Sequence, residues 1–264
     1  MQYVGIALLI IAAGLLLWRR SRQARLRGIL GTETSSVKEI TELGAYVREG
    51  LEGHTAFNRV CELKGTIRCD NPLTSEVAKQ PCVYYSMSVS REYEETYTET
   101  DSQNNQHQRT RRGSENVANN SQLVAFWLED ETGRIPVAPH GAEIDAEQVV
   151  DRYEPAGQAQ VGLSVGGLQL GLGNLGGTRT LGYRYRESLL PLARQAFVLG
   201  EASDSSGTLT VQKPRQKGDK FIISLKSEEQ LVQSAQRTIN WLLYGGVACG
   251  VLGVVAPVVG LARP

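Results

Sequence analysis

The 264-residue sequence has few of the side chains that hold metals or cross-link a chain, with four cysteines and three histidines in all. Cys61, Cys69 and Cys82 contain no C-x-x-C pair, so no zinc framework can be drawn from them, and the first two fit the inward face of a strand as buried thiols. Cys249 lies in an apolar run apart from the other three. An odd set remains in the polar part, which favours a reducing compartment over a disulfide framework. His54, His107 and His140 are isolated in sequence, and no catalytic triad, metal site or cofactor can be assigned to them. An excess of one charge is lacking as well: 28 basic and 28 acidic residues cancel, which removes any whole-chain argument for nucleic acid as a partner. Gly171, Gly173 and Gly176 have the G-x-G-x-x-G spacing, but no amphipathic helix follows to receive a pyrophosphate.

The chain does have two apolar stretches, Val4 to Trp18 and Trp241 to Leu261, on either side of a polar middle. The second is uncharged throughout, and at about 1.5 Å per residue it matches a hydrocarbon core of about 30 Å. The first is shorter, but Gln2 and Tyr3 extend it and the arginines after it can snorkel. No basic region precedes the first stretch, as a cleaved signal peptide would require. Instead Arg19, Arg20, Arg22, Arg25 and Arg27 follow it, with no acid before Glu33. That bias places residue 19 onward on the cytoplasmic side, and both termini on the opposite side. The same arginines act as a topology determinant or as contacts for acidic lipid headgroups. In the second stretch Gly246, Gly250 and Gly253 form a small-residue face. It suits either a homodimer or packing against the first span, where Ala7 and Gly14 are also small.

Between the two stretches the periodicity changes. Ser36 and Glu39 have capping-box spacing, and Val37, Ile40, Leu43, Val47 and Leu51 mark one stripe of a helix ending near Gly50 and Gly53. From Arg59 the period is two, with Cys61, Leu63, Ile67 and Cys69 on one face and Glu62, Lys64, Thr66 and Arg68 on the other. Further strands are predicted at 81–93, 122–129, 134–138, 194–202, 208–211 and 220–224. Turn signals separate several of them, notably Asp130 to Gly133 and Ser203 to Gly207. Glu129, Asp130 and Glu131 are read as part of a solvated turn rather than a cation site. Two inserts interrupt the β pattern: 94–122, expected as a mobile hairpin extension or loop, and 161–177, expected as a flexible hairpin. Ser227 and Gln230 repeat the capping spacing and open a helix that leads into the second apolar stretch.

The expected organisation is a transmembrane helix at 3–18, a basic juxtamembrane segment and amphipathic helix at 19–57, and a β-rich domain at 58–226. A helix at 227–240 then leads into a transmembrane helix at 241–261. The fold class is membrane-anchored α+β, with a predominantly β, barrel-like domain flanked by the two membrane helices.

Several segments together resemble the GIDE family, also called BAM for beside a membrane, best known from E3 ubiquitin ligases of the mitochondrial outer membrane. They are ELKGTIRCDNPLTSE at 62–76, PCVYYSMSVSREYE at 81–94, FWLEDETGRIPVAPHGAEID at 126–145, YRESLLPLARQAFVLGEA at 185–202 and KFIISLKSEEQLV at 220–232. The resemblance implies a β domain lying against a membrane with a second span after it. In the family's ligases a zinc-binding RING follows that span. Here only Ala262, Arg263 and Pro264 follow, and seven Cys and His in the whole sequence fall short of the eight that two zinc ions need. The expected function is a membrane-tethered binding, sensing or scaffold module of prokaryote-type short form, with a protein partner not identified by the sequence. The alternatives are a ligase component that recognises substrate while a partner supplies the RING, and a membrane-associated enzyme of unrecognised type.

Overall fold

A computed structural model describes residues 2–30, 34–50, 56–156, 164–165, 168–169, 178–216, 218–226 and 228–261. In chain order its elements are α1 (Gln2–Leu30), β1 (Thr34–Ser35), α2 (Val37–Gly50), β2 (Asn58–Arg68), β3 (Leu73–Thr74), β4 (Pro81–Thr100), β5 (Gln106–Leu123), β6 (Phe126–Asp130) and β7 (Gly133–Val137). There follow β8 (Glu143–Asp145), β9 (Glu147–Pro155), β10 (Ser164–Val165), β11 (Leu168–Gln169), β12 (Thr178–Pro191), β13 (Gln195–Ser203), β14 (Thr210–Gln212), β15 (Ile222–Ser224) and α3 (Glu228–Leu261). The chain is predominantly β between its terminal helices. It divides into two compact units, residues 1–64 with 196–264 and residues 65–195.

In the first unit, α2 starts at the expected cap, where the Ser36 hydroxyl accepts the N–H of Glu39 at 3.2 Å. Val37, Ile40 and Gly44 are buried along its inner stripe. Asp204 ties two segments together: Oδ1 accepts the N–H of Phe57 at 2.8 Å, and Oδ2 lies 3.5 Å from Nη2 of Arg48 on α2. β13 is buried along almost its whole length and pairs antiparallel with β14 and β15. Phe197, Leu199 and Ile222 form a core cluster there with Val60, and each fully buried side chain of this kind contributes about 1.5–3 kcal/mol. One element of the β2 alternation is corrected: Glu62, assigned to the outer face, is fully buried. The cause is β1, which pairs parallel to β2 at this point, so that Thr34 Oγ1 donates to Glu62 Oε1 at 2.5 Å and Lys64 Nζ lies 3.4 Å from the same oxygen.

In the second unit, the end of β2 pairs with β6, from Thr66↔Glu129 to Arg68↔Trp127, and β6 folds back on β7. Asp130 Oδ1 accepts the N–H groups of Thr132 at 2.7 Å and Gly133 at 2.9 Å, so the acidic cluster is a turn closed by its own side chain. β4 is the spine of a five-stranded sheet, with β12 on one side, β9 beyond β12, and β5 and the short β3 on the other side. One face of this sheet buries Tyr85, Met87, Val89, Tyr183, Tyr185 and Leu189. β4 does not stop at residue 93 but continues to Thr100, and β5 pairs with it back from Gln106, so the segment 94–122 forms a regular antiparallel ladder. β9 and β12 are strands not anticipated from the sequence. Much of the segment 161–177, including Gly171, Gly173 and Gly176, lies outside the described residues, as do His54 and Ser227. Residues 164–165 and 168–169 form a short antiparallel pair.

Among the described residues no helix is long and apolar enough to cross a membrane. The side chains of residues 254–261, in the second apolar stretch, are outside the described set.

Candidate functional site: a helix pair and a charged arm

α1 and α3 pack against each other. A Cβ built on Gly246 would lie 3.4 Å from Leu16 and 3.7 Å from Leu15, while one on Gly250 would lie 4.0 Å from Ala12. These contacts make the pair antiparallel, and the glycines let the two backbones come close. Gly253 is buried further along the same helix. The glycine face is thus turned to the chain's own first helix. Extending the alignment puts Tyr244 level with Trp18, and Trp241 about a turn beyond, near Arg20.

The outward faces of the pair are apolar. Ile10, Leu17 and Trp18 on α1 are 68%, 69% and 52% exposed, and Trp241, Tyr244 and Val251 on α3 are 78%, 67% and 58% exposed. Apolar side chains of this size are rarely left in water as a contiguous surface. Arg19 is half-buried and Arg20 exposed directly after Trp18, and with Ala13, Leu16, Leu17 and Gln23 they line an open groove on α1. Arg22, Arg25 and Arg27 continue α1, but their side chains lie outside the described residues.

The second feature is the arm formed by the distal halves of β4 and β5. Its tip is closed by Asp101, whose Oδ1 accepts the N–H groups of Gln103 at 2.9 Å and Asn105 at 2.8 Å. His107 Nε2 lies 3.1 Å from Oδ2 of Asp101. The Asn105 N–H first, and His107 next, hold the Asp101 carboxyl below its usual range. Down the arm, glutamates of β4 face arginines of β5, with Arg109–Glu99 at 2.7 Å, Arg111–Glu95 at 2.7 Å and Arg112–Glu94 at 3.4 Å, and nearer its base the polarity reverses, Arg91 of β4 lying 2.8 Å from Glu115 of β5. Arg111 also lies over the Tyr97 ring, 5.8 Å from its centroid. This surface was not nominated from the sequence, although a signal was present: EETYTET, acidic, precedes the turn and QHQRTRR, basic, follows it.

A third cluster is structural. Both oxygens of the buried Glu187 accept backbone N–H groups, from Val77 at 2.9 Å and Ala78 at 2.7 Å, and so fix the loop before β4. Glu76 Oε1 accepts from Tyr85 and Asn120 beside it. Burial pushes the Cys82 thiol up to about 11, with the Glu187 carboxylate adding to the effect. Burial likewise pushes Cys61 up to about 11. Both thiols are therefore inert in the native chain. Among the described residues no group of three or more His, Cys, Asp or Glu could hold a metal ion.

A predominantly β protein, with long helices from both ends of the chain paired antiparallel, is the class these features define. The chain belongs to the GIDE family, whose model, described as E3 ubiquitin ligase, matches residues 94–259. It is 30% identical over 135 residues to the E3 ubiquitin-protein ligase SPL1 of Arabidopsis thaliana, an alignment covering 50% of this chain and 38% of that protein. No solved structure matches it.

Proposed function

We propose that the chain is a membrane-anchored recognition module of the GIDE family, held by the α1–α3 pair and presenting its β-rich part to a protein partner on the cytoplasmic side. The observation that carries the anchor is the outward apolar surface of the helix pair, ended by Trp18 and Tyr244, with Trp241 about a turn beyond, next to Arg19 and Arg20. Tryptophan, tyrosine and arginine gathered at one end of an apolar helix pair suit the boundary between headgroups and acyl chains. The apolar part of α1 is about 22 Å long, short of a core of about 30 Å, and snorkelling by the arginines makes up part of the difference. The basic residues in the C-terminal part of α1 favour an orientation in which both termini lie across the bilayer from the β-rich part.

Incorporation of the full chain into vesicles carrying bromine-labelled acyl chains at graded depths tests the anchor. Quenching of tryptophan emission by shallow labels, lost in Trp18→Ala/Trp241→Ala, is expected. Emission insensitive to labels at every depth would refute insertion. Orientation is tested separately by single cysteines at Ser114 and Pro264 in intact cells. Reaction of the Ser114→Cys chain with an impermeant reagent, together with protection of Pro264→Cys, would reverse the orientation.

The family description and the likeness to SPL1 favour a second reading, in which the module selects substrates for ubiquitin transfer. On that reading the chain binds a protein that a separate RING-bearing partner then modifies.

A further inference from the structure

We propose that the free edge of β5 captures an acidic, extended peptide segment of a partner protein by adding it to the sheet as a further strand, with Arg109, Arg111 and Arg112 selecting its charge. Among the described residues β5 pairs with β4 alone, from Tyr84↔Leu123 to Thr100↔Gln106, so the opposite side of an 18-residue strand faces no other strand. Between Gln106 and Asn116 this edge has no proline and no bulge, and the only register shift lies beyond, opposite Val89 and Ser90. Two devices that commonly blunt an exposed edge are therefore absent from this stretch.

The charge pattern indicates which segment the edge would accept. Residues 106–114 carry three arginines and a histidine with no acid, and the balancing Glu94, Glu95 and Glu99 stand one strand further in. Side-chain exposure follows the same order: Arg111 and Arg112 are 67% and 78% exposed, against 30% and 26% for Glu95 and Glu94. All three arginines reach their glutamates through Nε, and a guanidinium carries further N–H donors in a rigid fork. An added strand would meet Arg109 and Arg111 on one face and Arg112 on the other, so carboxylates at alternate positions would be paired. The same row of arginines opposes pairing of two copies edge to edge, because like charges would face each other. Main-chain hydrogen bonds would supply most of the affinity and the arginines the selectivity.

This inference rests on the recognition role proposed above but not on the membrane anchor. It is therefore tested on the full chain in detergent micelles, where a failure of bilayer insertion has no effect. The probe is a fluorescein-labelled peptide of about ten residues alternating Glu and Thr, long enough for about 33 Å of strand. By fluorescence polarisation it is expected to bind at least about tenfold more tightly than its Lys/Thr counterpart, and than the same peptide N-methylated at alternate residues. The double variant Arg111→Gln/Arg112→Gln should lose about tenfold in affinity, with a steeper loss in salt for the parent chain. Should that variant unfold, Glu94→Gln/Glu95→Gln provides the complementary test, since removing the inner carboxylates should tighten binding of the Glu/Thr peptide. Equal binding of the Glu and Lys peptides, insensitivity to N-methylation, or a sedimenting dimer through β5 that the peptide does not dissociate would overturn the proposal.

Discussion

Glu187 is a glutamate at a position where the strand pattern calls for an apolar side chain, and its neighbours explain it. With both carboxylate oxygens on backbone N–H groups, removing the side chain leaves two buried donors unsatisfied. Glu187→Ala should therefore lower stability by roughly 2–4 kcal/mol, and Glu187→Gln, which keeps one acceptor, by about half that. Urea unfolding of the detergent-solubilised chain, followed by tryptophan fluorescence, measures both. The buried thiols give a pH signature. Cys61 and Cys82 titrate near 11 when folded, above the usual value of 9.0. The unfolded chain thus loses these protons first, and stability should fall as pH rises from about 9 to 11. At pH 8 the native thiolate fraction is on the order of a thousandth, so alkylation at Cys61 and Cys82 should be slow until urea opens the fold. Cys61→Ala/Cys82→Ala should flatten the alkaline slope. An unchanged slope would mean that tyrosines carry it.

At the scale of elements, the glycines of the five-stranded sheet sort into two kinds. A Cβ on Gly182 would lie 2.5 Å from the Glu154 carbonyl oxygen, a backbone atom in β9 that cannot swing away. On Gly113 the near atoms belong to the Tyr93 ring, at 2.6 Å, and a side chain can rotate. Gly182→Ala should consequently cost about 1–3 kcal/mol by forcing β9 and β12 apart, and Gly113→Ala clearly less. Thermal melts of the two variants compare them directly. The ion pairs of the arm are exposed and each contributes about 0–1 kcal/mol, so single replacements of Arg109, Arg111 or Arg112 should leave the melting temperature nearly unchanged. In the helix pair, Gly246→Ile should push α1 from α3, since a Cβ there already lies 3.4 Å from Leu16. The measured outcome is loss of a disulfide crosslink between cysteines placed at Ala12 and Gly250, whose Cβ atoms would be 4.0 Å apart.

For the molecule as a whole, composition limits the chemistry. Seven cysteines and histidines cannot complete the eight-ligand set of a two-zinc RING, so the residues of this chain alone should hold fewer than two zinc ions and should not discharge ubiquitin from a charged conjugating enzyme. Metal analysis of tag-free protein and a single-turnover discharge assay check the two halves. The chain spans 38% of the length of SPL1, and transfer activity in that protein is no guide to this one.

Local order was legible wherever one residue type or one period dominated. The Ser36 cap, the stripe on α2, the alternation of β2 and the Asp130 turn follow from short-range stereochemistry, and the sequence alone determined them. β12 was missed although Tyr183, Tyr185, Glu187 and Leu189 alternate inward. Arg184 and Arg186 between them supply the alternation, but a glutamate on the core face and the buried Leu190 on the other break it. The arm was expected as a mobile hairpin extension or loop because it has almost no aliphatic residues, and the structure has the hairpin. Its order comes from cross-strand pairs such as Arg111 with Glu95, whose partners are far apart in sequence. The burial of Glu62 depends on β1, and the glycine face of α3 on α1. Only the tertiary structure decided these, because side-chain type sets what a residue can pair with, whereas the partner actually supplied is set by the course of the chain.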